Sequence, residues 1–130
     1  MTPSLEWIIF ITNNYSAMKA FYKDTLGFAV KRDVPEEEFT QFALANCFLA
    51  LYGKKFVETL LGQAVTGKPG SAIYSFAEGD VDLLYQQLKA KGVQFITVPN
   101  VQPWGQKTAY FTDPDGNIWE IQEWVTKTTT

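Results

Sequence analysis

YFTDPDGNIWEIQEW, residues 110–124, is the stretch whose reading decides the fold. Aromatic and β-branched residues stand on both sides of DPDG (113–116), a proline-and-glycine turn, so the pattern predicts strand, turn, strand. Side chains alternate between the two faces of a strand. Ile118, Glu120, Gln122 and Trp124 therefore share one face, and Trp119 and Ile121 the other. A carboxylate in a row of large apolar side chains marks the first face as more than core. Glu120 is the residue to explain.

Working outward, QKTAYFT (106–112) and VQFITV (93–98) read as further strands, and SAIYSFAEG (71–79) as the strand that opens this half. Between them DVDLLYQQLKAKG predicts a helix. Asp80 caps its start, Val81, Leu84, Tyr85 and Leu88 form one apolar stripe, and Gly92 ends it. The first half carries the same order. LEWIIFIT (5–12) is a strand, and a helix follows with Asn14 as N-cap, Met18, Phe21, Tyr22 and Leu26 at helical spacing, and Gly27 as its stop. FAVKRDV and EFTQFAL flank the solvated tip PEEE (35–38), and NCFLALYG (46–53) is a fourth strand. Two β-α-β-β-β modules result, over about 5–53 and 71–124, within one domain of 130 residues. Neither buries a sheet face alone, so the two are expected to share a core. The linker 54–70 predicts a short helix over Phe56 to Leu61 and then a Gly/Pro-rich crossing, and the tail TKTTT is expected to fray.

The composition bounds the function. The chain is 46% hydrophobic and 15% aromatic, ample for a core. Eleven basic against fourteen acidic residues give −3, which disfavours phosphate-held nucleic acid as a partner. No apolar run is long enough for a bilayer, and MTPSLEW lacks a leader's basic-then-apolar pattern. A lone Cys47 suits a reducing cytoplasm, and with no base beside it in sequence it reads as an inert thiol. The sequence contains no histidine, so imidazole base catalysis and the commonest zinc or iron ligands are excluded.

The doubled βαβββ order, AFYKDTLGF closing the first helix and WGQKTAYFTDPDGNIWEIQ closing the second module resemble the vicinal oxygen chelate superfamily. That group includes glyoxalase I, extradiol dioxygenases, fosfomycin-resistance enzymes and bleomycin-resistance proteins. The resemblance covers Leu5 to Trp124 and implies an α+β fold whose sheets curve as half-barrels around a cavity, completed in a homodimer. Metal-using relatives take ligands at four strand positions, usually His or Glu. Here those positions are counted onto Trp7, Ala50 (or its neighbours Leu49 and Leu51), Ile73 and Glu120, and only Glu120 is a ligand type. A divalent ion needs about three or four protein donors. No cofactor is therefore expected, and a divalent metal is disfavoured.

The aromatics complete the expected site. Trp7, Phe48, Tyr52, Ile73, Trp104, Tyr110, Glu120, Gln122 and Trp124 are the candidate ligand contacts, with Thr108 and Gln106 on the side of Tyr110. Together they predict an aromatic groove that holds a flat or cationic small molecule by stacking, with Glu120 as its polar anchor. The opposite faces, Ile8, Phe10, Leu49, Leu51, Tyr74, Phe76, Trp119 and Ile121, read as core against the helices. Three functions stay open, in this order. The first is a metal-free binding protein of bleomycin-resistance type. The second is a metal-free enzyme with Glu120 as acid or base, and the third a metal-dependent glyoxalase-like lyase or ring-cleaving dioxygenase.

Overall fold

The structure is a computed structural model that describes residues 2, 5–64, 72–77 and 79–125. The expected Gly/Pro-rich crossing (65–70) and the tail TKTTT lie outside the described residues. The chain divides into two compact units, Met1–Gly67 and Lys68–Thr130.

Unit one runs β1 (Trp7–Thr12), α1 (Tyr15–Ala20), β2 (Ala29–Val34), β3 (Phe39–Ala43), β4 (Phe48–Gly53) and α2 (Lys54–Leu61). Its four strands lie in the order β1-β4-β3-β2, with β1 and β4 parallel and the other pairs antiparallel. α1 widens into a π-helical turn, Phe21–Thr25, where Leu26 N–H reaches back to the Phe21 carbonyl, before Gly27 turns out of the helix at φ 72°. This helix buries Met18 and Tyr22 against Phe10, Phe42, Leu49 and Leu51, and the Tyr22 ring stands 6.0 Å from that of Phe42. Each fully buried side chain of this size contributes roughly 1.5–3 kcal/mol. Asn14 precedes α1 as expected, but its side chain makes no cap; its N–H instead donates to Thr12 Oγ1. Polar closure comes from Tyr15 and Thr40, whose hydroxyls lie 2.6 Å apart, and from Thr40 and Lys19, which both donate to Asp33. The Lys19 ammonium holds the Asp33 carboxyl below its usual range.

Unit two repeats the topology with β5 (Ile73–Phe76), α3 (Val81–Ala90), β6 (Asn100–Val101), β7 (Gln106–Thr112) and β8 (Ile118–Trp124), in the order β5-β8-β7-β6. α3 buries Val81, Tyr85 and Leu88 over a chain of rings in which Tyr85 meets Phe95 at 4.5 Å and Phe95 meets Phe111 at 5.5 Å. Two carboxylates cap its start: Asp80 accepts from Leu83 N–H and Glu123 from Val81 N–H. Anionic acceptors suit the positive end of a helix. The DPDG turn is organised by Asp113, which accepts from the N–H groups of Asp115 and Asn117 and from the Asn117 amide.

One expected strand is not regular. VQFITV pairs with β7 only at Phe95–Phe111, and the ordered edge strand is Asn100–Val101. The reason is local: the N–H groups of Ile96 and Thr97 both point at the Tyr110 carbonyl, so the chain bulges and the ladder loses step. The linker helix, read as Phe56 to Leu61, starts earlier at Lys54.

The PEEE tip is tighter than a solvated turn requires. Glu38 stands at φ 49°, in the left-handed region, and its carbonyl accepts from Gly53 N–H at the end of β4. A Cβ on Gly53 would lie 2.7 Å from the Glu38 Cβ. Gly53→Ala is expected to lower stability by about 1–3 kcal/mol through overpacking. In a Glu38→Gly background, which removes the obstructing side chain, the same change should cost well under that. Denaturant unfolding of the four proteins checks this; an equal cost in both backgrounds would show that Glu38 is not the obstruction.

Candidate functional site

Each unit offers a candidate face of its own, the side of its sheet that turns away from α1 in unit one and from α3 in unit two. In unit two that face carries Ile73 and Ser75 on β5, Ile118, Glu120, Gln122 and Trp124 on β8, and Gln106, Thr108 and Tyr110 on β7. Cross-strand pairing sets Ser75 and Tyr110 on either side of Glu120. Ser75 Oγ donates to Glu120 Oε1 at 2.7 Å, and Tyr110 Oη donates to Oε2 at 2.5 Å. The half-buried carboxylate is thus paired, one donor to each oxygen. Two oxygens offer about four lone-pair sites, so Glu120 retains capacity to accept from a guest.

A second polar chain runs beside it. Trp104 Nε1 donates to Gln106 Oε1, and Gln106 Nε2 donates to Gln122 Oε1, each at 2.9 Å. Gln102 donates to Thr108 Oγ1 on the same sheet. Trp104 and Trp124 are both more than half exposed at this end of the face. Ile73 is 60% exposed and pairs with Ile118, one step from Glu120.

In unit one, Trp7, Ile9 and Ile11 on β1 share a face with Phe48, Ala50 and Tyr52 on β4 and with Phe39 and Gln41 on β3. Rings cluster there: Trp7 lies 5.2 Å from Phe48, and Phe39 lies 5.3 Å from Tyr52. The structure therefore brings together Trp7, Phe48 and Tyr52 within unit one. Within unit two it joins Tyr110 directly to Glu120, and Trp104 to Gln122 through Gln106.

Strand pairing adds the register that counting from helix caps does not supply. The residue across from Ala50 is Ile9, and the residue across from Glu120 is Ser75. Trp7 and Ile73 lie on the same two faces, one step along, opposite Phe48 and Ile118. The sequence reading missed Ser75, Phe39 and Gln41. Alternation on their own strands puts them on these faces, yet nothing local marks them as neighbours of the site. The donor set around Glu120 does not fit a divalent metal. Its cross-strand neighbours are a serine and a tyrosine, and among the described residues no three His, Cys, Asp or Glu stand close enough to hold an ion.

Two successive βαβββ units, each a four-stranded mixed sheet with a helix on one face and polar or aromatic side chains on the other, define an α+β protein of the glyoxalase-like class. The chain belongs to the Glyoxalase/Bleomycin resistance protein/Dioxygenase superfamily, whose family profile matches residues 4–121. A Nocardioides glyoxalase/bleomycin resistance protein/dioxygenase structure superposes with TM-score 0.83 at 25% identity, covering 98% of this chain and 87% of that one. A glyoxalase-related enzyme from Fulvimarina pelagi gives TM-score 0.79 at 27% identity, with 93% and 88% covered. Biphenyl-2,3-diol 1,2-dioxygenase 3 of Rhodococcus globerulus is 33% identical over 132 residues, which cover 94% of this chain but 64% of that protein. No helix among the described residues is long and apolar enough to cross a membrane.

Tyr110 reports on the cluster. The hydrogen bond to Glu120, and then burial, hold its phenol above the ordinary tyrosine value. A raised value means that this stabilisation is complete below about pH 10 and is lost as pH rises through the folded value. Ultraviolet titration of tyrosinate should show one tyrosine moving to lower pH in Glu120→Gln. Superimposable curves for the two proteins would show that the bond does not control Tyr110.

Proposed function

We propose that this chain is a cytoplasmic small-molecule-binding protein that works without a metal, with the Glu120 cluster as the polar anchor of an aromatic-rimmed face. The observation that carries this is the preorganised carboxylate. Ser75 and Tyr110 fix its position, and the Trp104–Gln106–Gln122 chain fixes the amides beside it. A mostly apolar surface with a few placed polar groups is the usual make-up of a small-molecule site. The anchor suits an aromatic guest carrying a positive charge or hydrogen-bond donors, because a carboxylate only accepts. The second reading is an enzyme, favoured by one comparison: the Rhodococcus relative is named a dioxygenase. In that reading Glu120 and Tyr110, already hydrogen-bonded, would exchange a proton with substrate. The binding reading ranks first because, among the described residues of this face, Glu120 is the one carboxylate, and the Ser75 and Tyr110 hydroxyls are both engaged in donating to it.

The test is a titration with 2-naphthylmethylammonium as an aromatic cation, with and without a chelator. Affinity should be unchanged by the chelator and should fall by about 1.5–3 kcal/mol in Glu120→Gln, the scale of a hydrogen bond to a charged group. Stability of the variant should drop by about 1 kcal/mol as two charge-assisted bonds become neutral ones. Loss of binding on chelation would overturn the metal-free reading, and unchanged affinity in the variant would remove Glu120 from the site.

The same reading takes the protein as a homodimer. Leu60 and Leu61 on α2 are 68% and 57% exposed, and Ile96 and Val98 are similarly bare; apolar side chains of this size in clusters commonly mark an interface. Light scattering at micromolar concentration should give twice the chain mass; the single-chain mass would refute it.

A further inference from the structure

The free face of unit one has a charge of its own. β2 carries an irregularity between Val30 and Arg32, where Lys31 is left without a partner on β3. Strict alternation would send Lys31 and Arg32 to opposite faces; an extra residue in a strand breaks that alternation. Both cations accordingly reach the face opposite α1. Lys31 Nζ lies 5.5 Å from the centre of the Phe48 ring, and the Arg32 guanidinium 6.0 Å from that of Phe39. Among the described residues neither has an ion-pair partner.

Beneath them lies a polar group without an occupation. Arg32 pairs across to Gln41, which pairs across to Ala50 in the middle of the same face. Gln41 is only 5% exposed, and no described residue hydrogen-bonds its amide. Its polar atoms still reach the surface, because no described side-chain nitrogen or oxygen is both fully buried and unpartnered. An amide with so little access to water gains from a partner that completes its hydrogen bonds. The location asks for a partner small enough to reach a nearly closed side chain.

We propose that this face of unit one binds a planar aromatic carboxylate. Its ring lies against Trp7, Phe39 and Phe48, its carboxylate is held by Lys31 and Arg32, and the Gln41 amide bonds a polar substituent of the ring. The anion follows from two unpaired cations on one face, which repel a cationic guest. The chain's net charge of −3 does not decide the matter, since charges beyond about 8 Å are largely screened at physiological salt. The aromatic ring follows from the wall of ring faces, which favours stacking over a bare phosphate. An arginine presents a planar fork that matches a carboxylate. The inference goes beyond the Glu120 reading and does not depend on it, since no side chain of unit two enters the argument.

The experiment is calorimetric titration at physiological salt with 2-naphthoate and with its neutral methyl ester, which keeps the ring and removes the charge. Naphthoate should bind at least tenfold more tightly than the ester. Lys31→Gln and Arg32→Gln should each weaken naphthoate about three- to tenfold, and the double variant more, while ester binding changes less than twofold. Both side chains are exposed, so the variants are expected to fold normally. Lys55→Gln removes the same charge from α2 of the same unit and should leave naphthoate affinity within twofold. Equal affinity for acid and ester, an unchanged double variant, an equal loss in Lys55→Gln, or no binding of naphthoate would each overturn the proposal.

Discussion

Everything in this molecule depends on one face of each four-stranded sheet being sealed by a helix. In unit one Met18 and Tyr22 press on Phe10, Phe42 and Leu49; in unit two Tyr85 and Leu88 cover a layer that includes Phe111, Trp119 and Ile121. Because strand side chains alternate, that seal consumes every second residue of the central strands. The remaining residues do not pack under the helices, although Ala50, Thr108 and Gln41 among them are still buried. They can carry amides, carboxylates and exposed rings without unfolding the sheet, and the chemistry of the chain is concentrated there.

The two units use the same framework for opposite chemistry. Across the middle of the free face, unit one reads Ile9, Ala50, Gln41 and Arg32, while unit two reads Ser75, Glu120 and Tyr110. The acidic row is internally satisfied: the carboxylate already has a donor on each oxygen. In the basic row, Gln41 and Arg32 have no hydrogen-bond or ion-pair partner among the described residues. The edge strands account for part of this difference. β2 is long enough to contain an irregularity that turns two cations onto one face, whereas β6 has only Asn100 and Val101. A satisfied row is preorganised and stiff; an unsatisfied one gains more from a guest.

The sequence by itself determined the order of elements, the doubling of the βαβββ pattern and the sorting of most side chains between core and free face. Phe10, Leu49, Leu51, Trp119 and Ile121 are buried as alternation requires, and Gly27, Gly92 and Gly116 turn the chain at positive φ where punctuation was expected. Family membership was legible for the same reason, since the DPDGN turn is held by contacts within five residues of Asp113. These are short-range properties, fixed by one residue's conformational freedom or by a period of two.

Only the tertiary structure decided which residues stand beside Glu120 and Ala50. Ser75 reaches Glu120 across forty-five positions of chain, and no count from a helix cap registers one strand against the other. The irregularity in β2, the broken ladder at Ile96 and Thr97 and the unpaired amide of Gln41 were equally hidden. Facing is a property of one strand, whereas register is a property of two, set by hydrogen bonds between segments far apart in sequence. A single extra residue in one strand changes a face without changing the composition or apparent period of its neighbours. The sequence therefore determined which side chains share a face, and cross-strand pairing decided which of them stand together on it.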